Sequence, residues 1–119
     1  MKTYLVALCV LLASCATLTL DKVSALRKNM TRQEARATLG IEPKAAIDLG
    51  DSVTVDVYDL SNGGYNAPYY VSYKEGKVLY WGYPHEYARE KDPLLNRVAK
   101  ETTERLNVAK AQGARGANK

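Results

Sequence analysis

Thr31-Arg32-Gln33-Glu34-Ala35-Arg36-Ala37-Thr38-Leu39-Gly40, followed across a linker by Val53-Thr54-Val55-Asp56-Val57-Tyr58, decides the fold. The first stretch opens as a capping box, with the Thr31 hydroxyl placed to accept from the Glu34 amide and the Glu34 carboxylate placed to answer the Thr31 amide. It closes on Gly40, where a left-handed residue is wanted after a helix. The spacing predicts a helix over about Arg32 to Leu39, and Pro43 keeps it from resuming. In the second stretch valines alternate with Thr54, Asp56 and Tyr58, the period of a strand with one buried face.

Upstream, Asp21 to Lys28 carries Val23 and Leu26, with Met30 beyond, at the spacing of a short amphipathic helix that Asn29 ends. Downstream, Ile41 to Asp51 reads as a linker and Ser61-Asn62-Gly63-Gly64 as a turn. Tyr69, Val71 and Tyr73 form a second alternating run, closed by the hairpin signal Lys74-Glu75-Gly76-Lys77. Val78 to Tyr83 is a third strand, stopped by Pro84. Asp92-Pro93 starts another helix, with Asp92 as N-cap and Pro93 at the first helical position. Leu94, Leu95, Val98, Thr102, Leu106 and Ala109 then recur at three and four to about Lys110, with Glu101 and Arg105 set to pair on the outer face. The expected fold is α+β: two short N-terminal helices on a three-stranded antiparallel sheet, plus a C-terminal amphipathic helix. Gln112 to Lys119 has two glycines and no periodicity, which predicts disorder.

The N-terminus gives the cellular address. Lys2 supplies a basic start and Leu5 to Leu12 an unbroken apolar run, a secretory signal. The 10 residues from Leu5 to Ser14 are about half of the roughly 20 that a membrane-spanning helix needs. Leu12-Ala13-Ser14-Cys15 resembles the lipobox of bacterial lipoproteins. That likeness implies cleavage before Cys15, a diacylglycerol thioether on its sulfur and an acyl chain on its new amine; two or more chains are what stable anchoring requires. An ordinary signal, cleaved after Ala13 or Ser14, is the other reading. Cys9 lies in the removable segment, so with Cys15 acylated no thiol remains for a disulfide or a metal cluster. The expected parts are a signal peptide over 1–14, a lipidated tether over 15–20, the ααβββ domain over 21–88, the C-terminal helix over 89–110 and a basic tail over 111–119.

Leu26-Arg27-Lys28-Asn29-Met30-Thr31, continuing through Glu34 to Leu39-Gly40, resembles the helix-turn-helix opening of the SmpA/OmlA family, the small BamE-like lipoproteins of outer-membrane protein assembly. The strands to Tyr83 follow that family's ααβββ order. Asn29 stands where the family has Gly, Ala35 replaces a branched apolar residue, and Pro43 comes one residue late. The resemblance implies a non-enzymatic accessory subunit of an envelope protein complex, namely the outer-membrane assembly machinery. Ala16 rather than Asp after Cys15 implies an outer-membrane, periplasm-facing location. Secreted β-lactamase inhibitor proteins use a similar layout, so a lipid-tethered inhibitor or ligand-binding module is the alternative.

At 119 residues, 25% of them charged, with a formal net charge of +4, the chain can hold one domain of ordinary size, which excludes a multidomain enzyme. The single histidine, His85, has no nucleophile or phosphate loop to serve, so no catalytic residue and no cofactor beyond the acyl groups is expected. Asp48, Asp51, Asp56 and Asp59 lack the ligand spacing of a calcium loop, so no metal site is expected. Eight of the nine tyrosines fall between Tyr58 and Tyr87, beside Trp81, the only tryptophan, and with no phenylalanine. Tyrosine and tryptophan suit surfaces with one apolar and one wet side. Tyr58, Tyr70, Tyr80, Trp81 and Tyr83 are therefore the candidate partner-binding residues, although tyrosine replacing phenylalanine in a small half-exposed sheet accounts for them equally well. If Val53, Val55 and Val57 face the helices, Tyr58 belongs to the opposite face, the expected interaction surface. The net +4 from Leu94 to Lys119 suits anionic lipid headgroups, the acidic surface of a partner or simply a solvated helix; the secretory signal argues against nucleic acid.

Overall fold

A computed structural model describes residues 18–62 and 65–117. The first helix, α1 (Leu20–Val23), is a single turn. It is shorter than expected because the Ser24 hydroxyl donates to the Asp21 carbonyl at 2.7 Å and the Ala25 and Leu26 amides reach back only three residues, at 3.2 and 3.0 Å. Val23 and Leu26 are nevertheless buried. Asn29 takes a left-handed φ of 71° and turns the chain into α2 (Arg32–Leu39). There the capping box forms at 3.1 and 3.3 Å, and Gly40 closes the helix at φ 75°.

The sheet has four strands, not three. Ala45–Gly50, expected as linker, is β1; β2 is Val53–Asn62, β3 is Tyr65–Lys74 and β4 is Lys77–Gly82. They pair antiparallel in the order β1-β2-β3-β4. β1 hid in the sequence because Ala45-Ala46-Ile47-Asp48-Leu49-Gly50 is poor in β-branched residues; it is an edge strand with Leu49 buried and Ala46, Asp48 and Gly50 exposed. Both tight turns carry positive φ at their two central residues, Asp51 and Ser52 in one and Glu75 and Gly76 in the other, as a type I′ hairpin requires.

After β4 comes a short helix that the sequence reading did not contain, α3 (Pro84–Arg89), and then α4 (Pro93–Ala117). Asp92 caps α4 by accepting from the Leu94 amide at 2.9 Å. The helix runs seven residues past Lys110, through most of the stretch where disorder was expected; Gly113 and Gly116 weaken a helix by about 1 kcal/mol each without ending it, and alanines surround them. Glu101 pairs with Arg97 rather than Arg105, because Arg105 donates to the Asp48 carbonyl on β1.

The sheet lies between two helical layers. Leu18, Val23, Leu26, Ala35 and Leu39 pack on Tyr58, Leu60, Tyr69, Val71 and Tyr73. On the other side Tyr87, Leu95, Val98 and Ala99 pack on Val53, Val55, Val57 and Tyr70. The valines thus face the C-terminal helices, whereas Tyr58 faces the N-terminal ones. Period-two alternation does put Val57 and Tyr58 on opposite faces, but the second helical layer covers the face expected to be open.

Leu18, the first described residue, joins this arrangement on the β2 edge. β1 pairs with β2 only as far as Val57, and beyond that point the β2 edge takes Leu18 in a parallel bridge to Leu60. The Leu18 amide donates to the Asp59 carbonyl at 3.3 Å and its carbonyl accepts from Ser61 at 2.9 Å. Its side chain is completely buried.

Candidate functional site

The five aromatic residues expected on one docking face are divided by the fold. Tyr58 and Tyr70 are each 1% exposed, in the two different cores, so neither can meet a partner. Tyr80, Trp81 and Tyr83 are half-buried. Tyr80 is engaged internally: its ring meets Tyr87 edge-on at 4.6 Å and its hydroxyl donates to Glu90 at 2.9 Å. Burial, and then the Glu90 carboxylate, push that hydroxyl up to about 12. Trp81 and Tyr83 rest on the N-terminal core, and Tyr83 packs edge-on against Tyr69 at 5.1 Å. The exposed His85 ring stacks on Tyr83 at 5.5 Å and 9°. What reaches solvent is therefore a short aromatic run, Trp81, Tyr83 and His85, at the end of the edge strand β4. Cys15 and the apolar run before it lie outside the described residues.

Two buried polar centres were not foreseen. Tyr87, fully buried on α3, lies within hydrogen-bond distance of the Tyr80 and Tyr70 carbonyls, at 2.8 and 3.1 Å, and of Ser72 Oγ at 2.9 Å. It therefore ties α3 to two strands. The signal was present in the sequence: Tyr83-Pro84-His85-Glu86 repeats the proline-first start seen at Asp92-Pro93, and Glu86 accepts from the Tyr83 amide at 2.9 Å.

The second centre is Asp56, fully buried on β2. Arg32 donates to it at 2.6 Å and Arg36 at 2.8 Å with both Nε and Nη2. Burial by itself would raise this carboxyl, but the hydrogen bonds from Arg36 and Arg32 outweigh it and hold the group below its ordinary value. The Arg32 guanidinium also sits 5.4 Å from the Tyr73 ring centre. The Tyr58 and Tyr73 hydroxyls beside it have no hydrogen-bond partner among the described residues; burial, reinforced by the Asp56 charge, pushes both well above the usual phenol range. Arg32 and Arg36 stand one helical turn apart on one face of α2, so the spacing was legible but their target was not.

A groove of about 550 Å³ runs between α4 and the sheet, lined by Lys44, Val57, Asp59, Pro68, Leu106 and Lys110, among others. Burial along α4 fades at Leu106, and Asn107 to Ala111 are exposed. This corner is also where Leu18 joins β2, since the Leu18 amide bonds to Asp59. Among the described residues no helix is long and apolar enough to cross a membrane.

No protein family and no curated protein matches the chain. Part of it is similar to a solved structure described as an osmotically inducible lipoprotein, OsmE. The two are 30% identical over 52% of this chain and 66% of that one, with a TM-score of 0.48. The match thus spans just under two thirds of the neighbour's length.

Proposed function

We propose that the protein is a bacterial envelope lipoprotein, anchored through acylated Cys15 and acting as a small non-enzymatic binding module, an accessory to outer-membrane protein assembly. The observation that carries the reading is the pairing of Leu12-Ala13-Ser14-Cys15 with a domain in which the stretch that resembles the SmpA/OmlA opening takes the local structure its residues call for. Asn29 is left-handed in place of glycine, Thr31 and Glu34 close the box, and Gly40 caps α2. The periplasm-facing leaflet of the outer membrane is the location that fits Ala16.

The surface that remains for a partner is the Trp81, Tyr83 and His85 run. Aromatic side chains half-buried at a sheet edge offer large area at little entropic cost, and β4 is an edge strand. Replacing Trp81 and His85 with alanine should leave the domain folded and lower recovery of the barrel-assembly complex from crosslinked envelopes at least about tenfold, the effect of one hot-spot residue. Mass spectrometry of the captured material, with circular dichroism of the variant, checks this. Undiminished recovery would remove the aromatic run as docking surface. Recovery of one secreted enzyme in place of the complex would favour the tethered-inhibitor alternative.

A further inference from the structure

Leu18, within the stretch 15–20 read as a lipidated tether, is held by the fold: two backbone hydrogen bonds fix it on β2 and its side chain is fully buried. Only Ala16 and Thr17 separate it from Cys15. Three residues of chain span at most about 11 Å. A domain with a buried, hydrogen-bonded residue that close to its anchor cannot hang away from the bilayer.

Resting on the proposed acylation of Cys15, we infer that the domain is seated on the bilayer in one orientation, with the corner around Leu18 against the headgroups and Leu20 in the interface. Leu20 is 49% exposed and is one of two large apolar side chains left so open among the described residues. It lies two residues beyond the clip, within reach of the acyl boundary where apolar side chains of surface helices sit. The same corner presents Lys44, 65% exposed and paired with Asp59 at 3.5 Å, and Lys110, exposed on α4 and lining the groove, whose charge complements anionic headgroups. The β3–β4 turn with Lys77 lies at the other end of the sheet, because β2 runs from the Lys74 register at Val53 to the Leu18 bridge at Leu60.

The mature chain has no cysteine besides Cys15, so single-cysteine probes are clean. The full-length protein, expressed and lipidated in bacteria, is placed in vesicles of phosphatidylethanolamine and phosphatidylglycerol, with a fluorophore on Leu20→Cys or on Lys77→Cys. Lipid-borne quenchers should reduce emission at residue 20 at least twofold and leave residue 77 unchanged. A ten-residue Gly/Ser insertion after Cys15 should abolish the difference while the protein still floats with the vesicles. Emission at residue 20 that stays unquenched in protein that floats, or equal quenching at residues 20 and 77, would overturn the orientation while leaving the anchor intact. Protein that neither floats nor carries acyl mass on its N-terminal peptide would overturn the lipoprotein reading, and this inference with it.

Discussion

Asp56→Ala should lower the stability of the domain by about 3 kcal/mol, because it removes three charge-assisted hydrogen bonds and leaves two guanidiniums facing a buried void. The arginines are about one third exposed, at 31% and 35%, so they can partly rehydrate; this keeps the loss at the lower end for a broken buried pair. In a domain of this size the melting temperature should fall by roughly 10–20 °C. The effect has a sign in pH. The carboxyl of the folded protein lies below its ordinary value, so its stabilisation is fully present above the unfolded value of about 4. It is lost as pH falls through that value towards the folded one. The gap between wild type and variant, followed by thermal melts, should therefore be constant near neutrality and close in acid. A variant that melts like wild type at pH 7 would show that the cluster contributes nothing net.

Tyr87→Ala should be costlier still, about 4 kcal/mol, since it empties a fully buried aromatic site and removes the hydroxyl shared by Ser72 and the Tyr70 and Tyr80 carbonyls. Against an expected total of about 5–15 kcal/mol, that loss is a large part of the fold's margin. Tyr87→Phe separates the two contributions. It keeps the ring against Tyr80 and should cost about 1–2 kcal/mol, the ordinary consequence of orphaning buried partners. Urea denaturation of the pair checks this. Equal losses for the two variants would assign the whole effect to the hydroxyl, and a negligible loss for Tyr87→Ala would mean that α3 is not needed to hold the second layer.

These two residues also mark where the sequence could and could not be read. Local chemistry was legible: the Thr31–Glu34 box, the left-handed Gly40, the Glu75-Gly76 turn and the Asp92 cap depend on neighbours within four positions, and they formed as expected. The valine alternation in β2 was also legible, because a period of two survives any tertiary context. Which layer covers which face was not legible, since nothing local distinguishes packing on α2 from packing on α4. The docking reading of Tyr58 and Tyr70 failed for that reason, and the alternative, tyrosine in place of phenylalanine, describes them. A sheet covered on both sides needs large side chains inside, and tyrosine served there, with Tyr70 and Tyr87 hydroxyls reaching Thr103 and Ser72. Asp56 looked like a solvated polar residue alternating with valines. Only the fold brings it to arginines 20 and 24 positions away. Strand β1 was missed because an alanine-rich edge strand has almost no signature of its own.

The half-buried aromatic run, the clipped Leu18 and the open Leu20 all acquire meaning through the anchor, so the anchor is the claim to test directly. The measurement is the intact mass of the N-terminal peptide of mature protein isolated from bacterial membranes. The account predicts a peptide beginning at Cys15 and carrying a diacylglycerol thioether and an amide-linked acyl chain, absent from a Cys15→Ala form. A peptide with an unmodified N-terminus, whether it begins at Ser14, Cys15 or elsewhere, would contradict it.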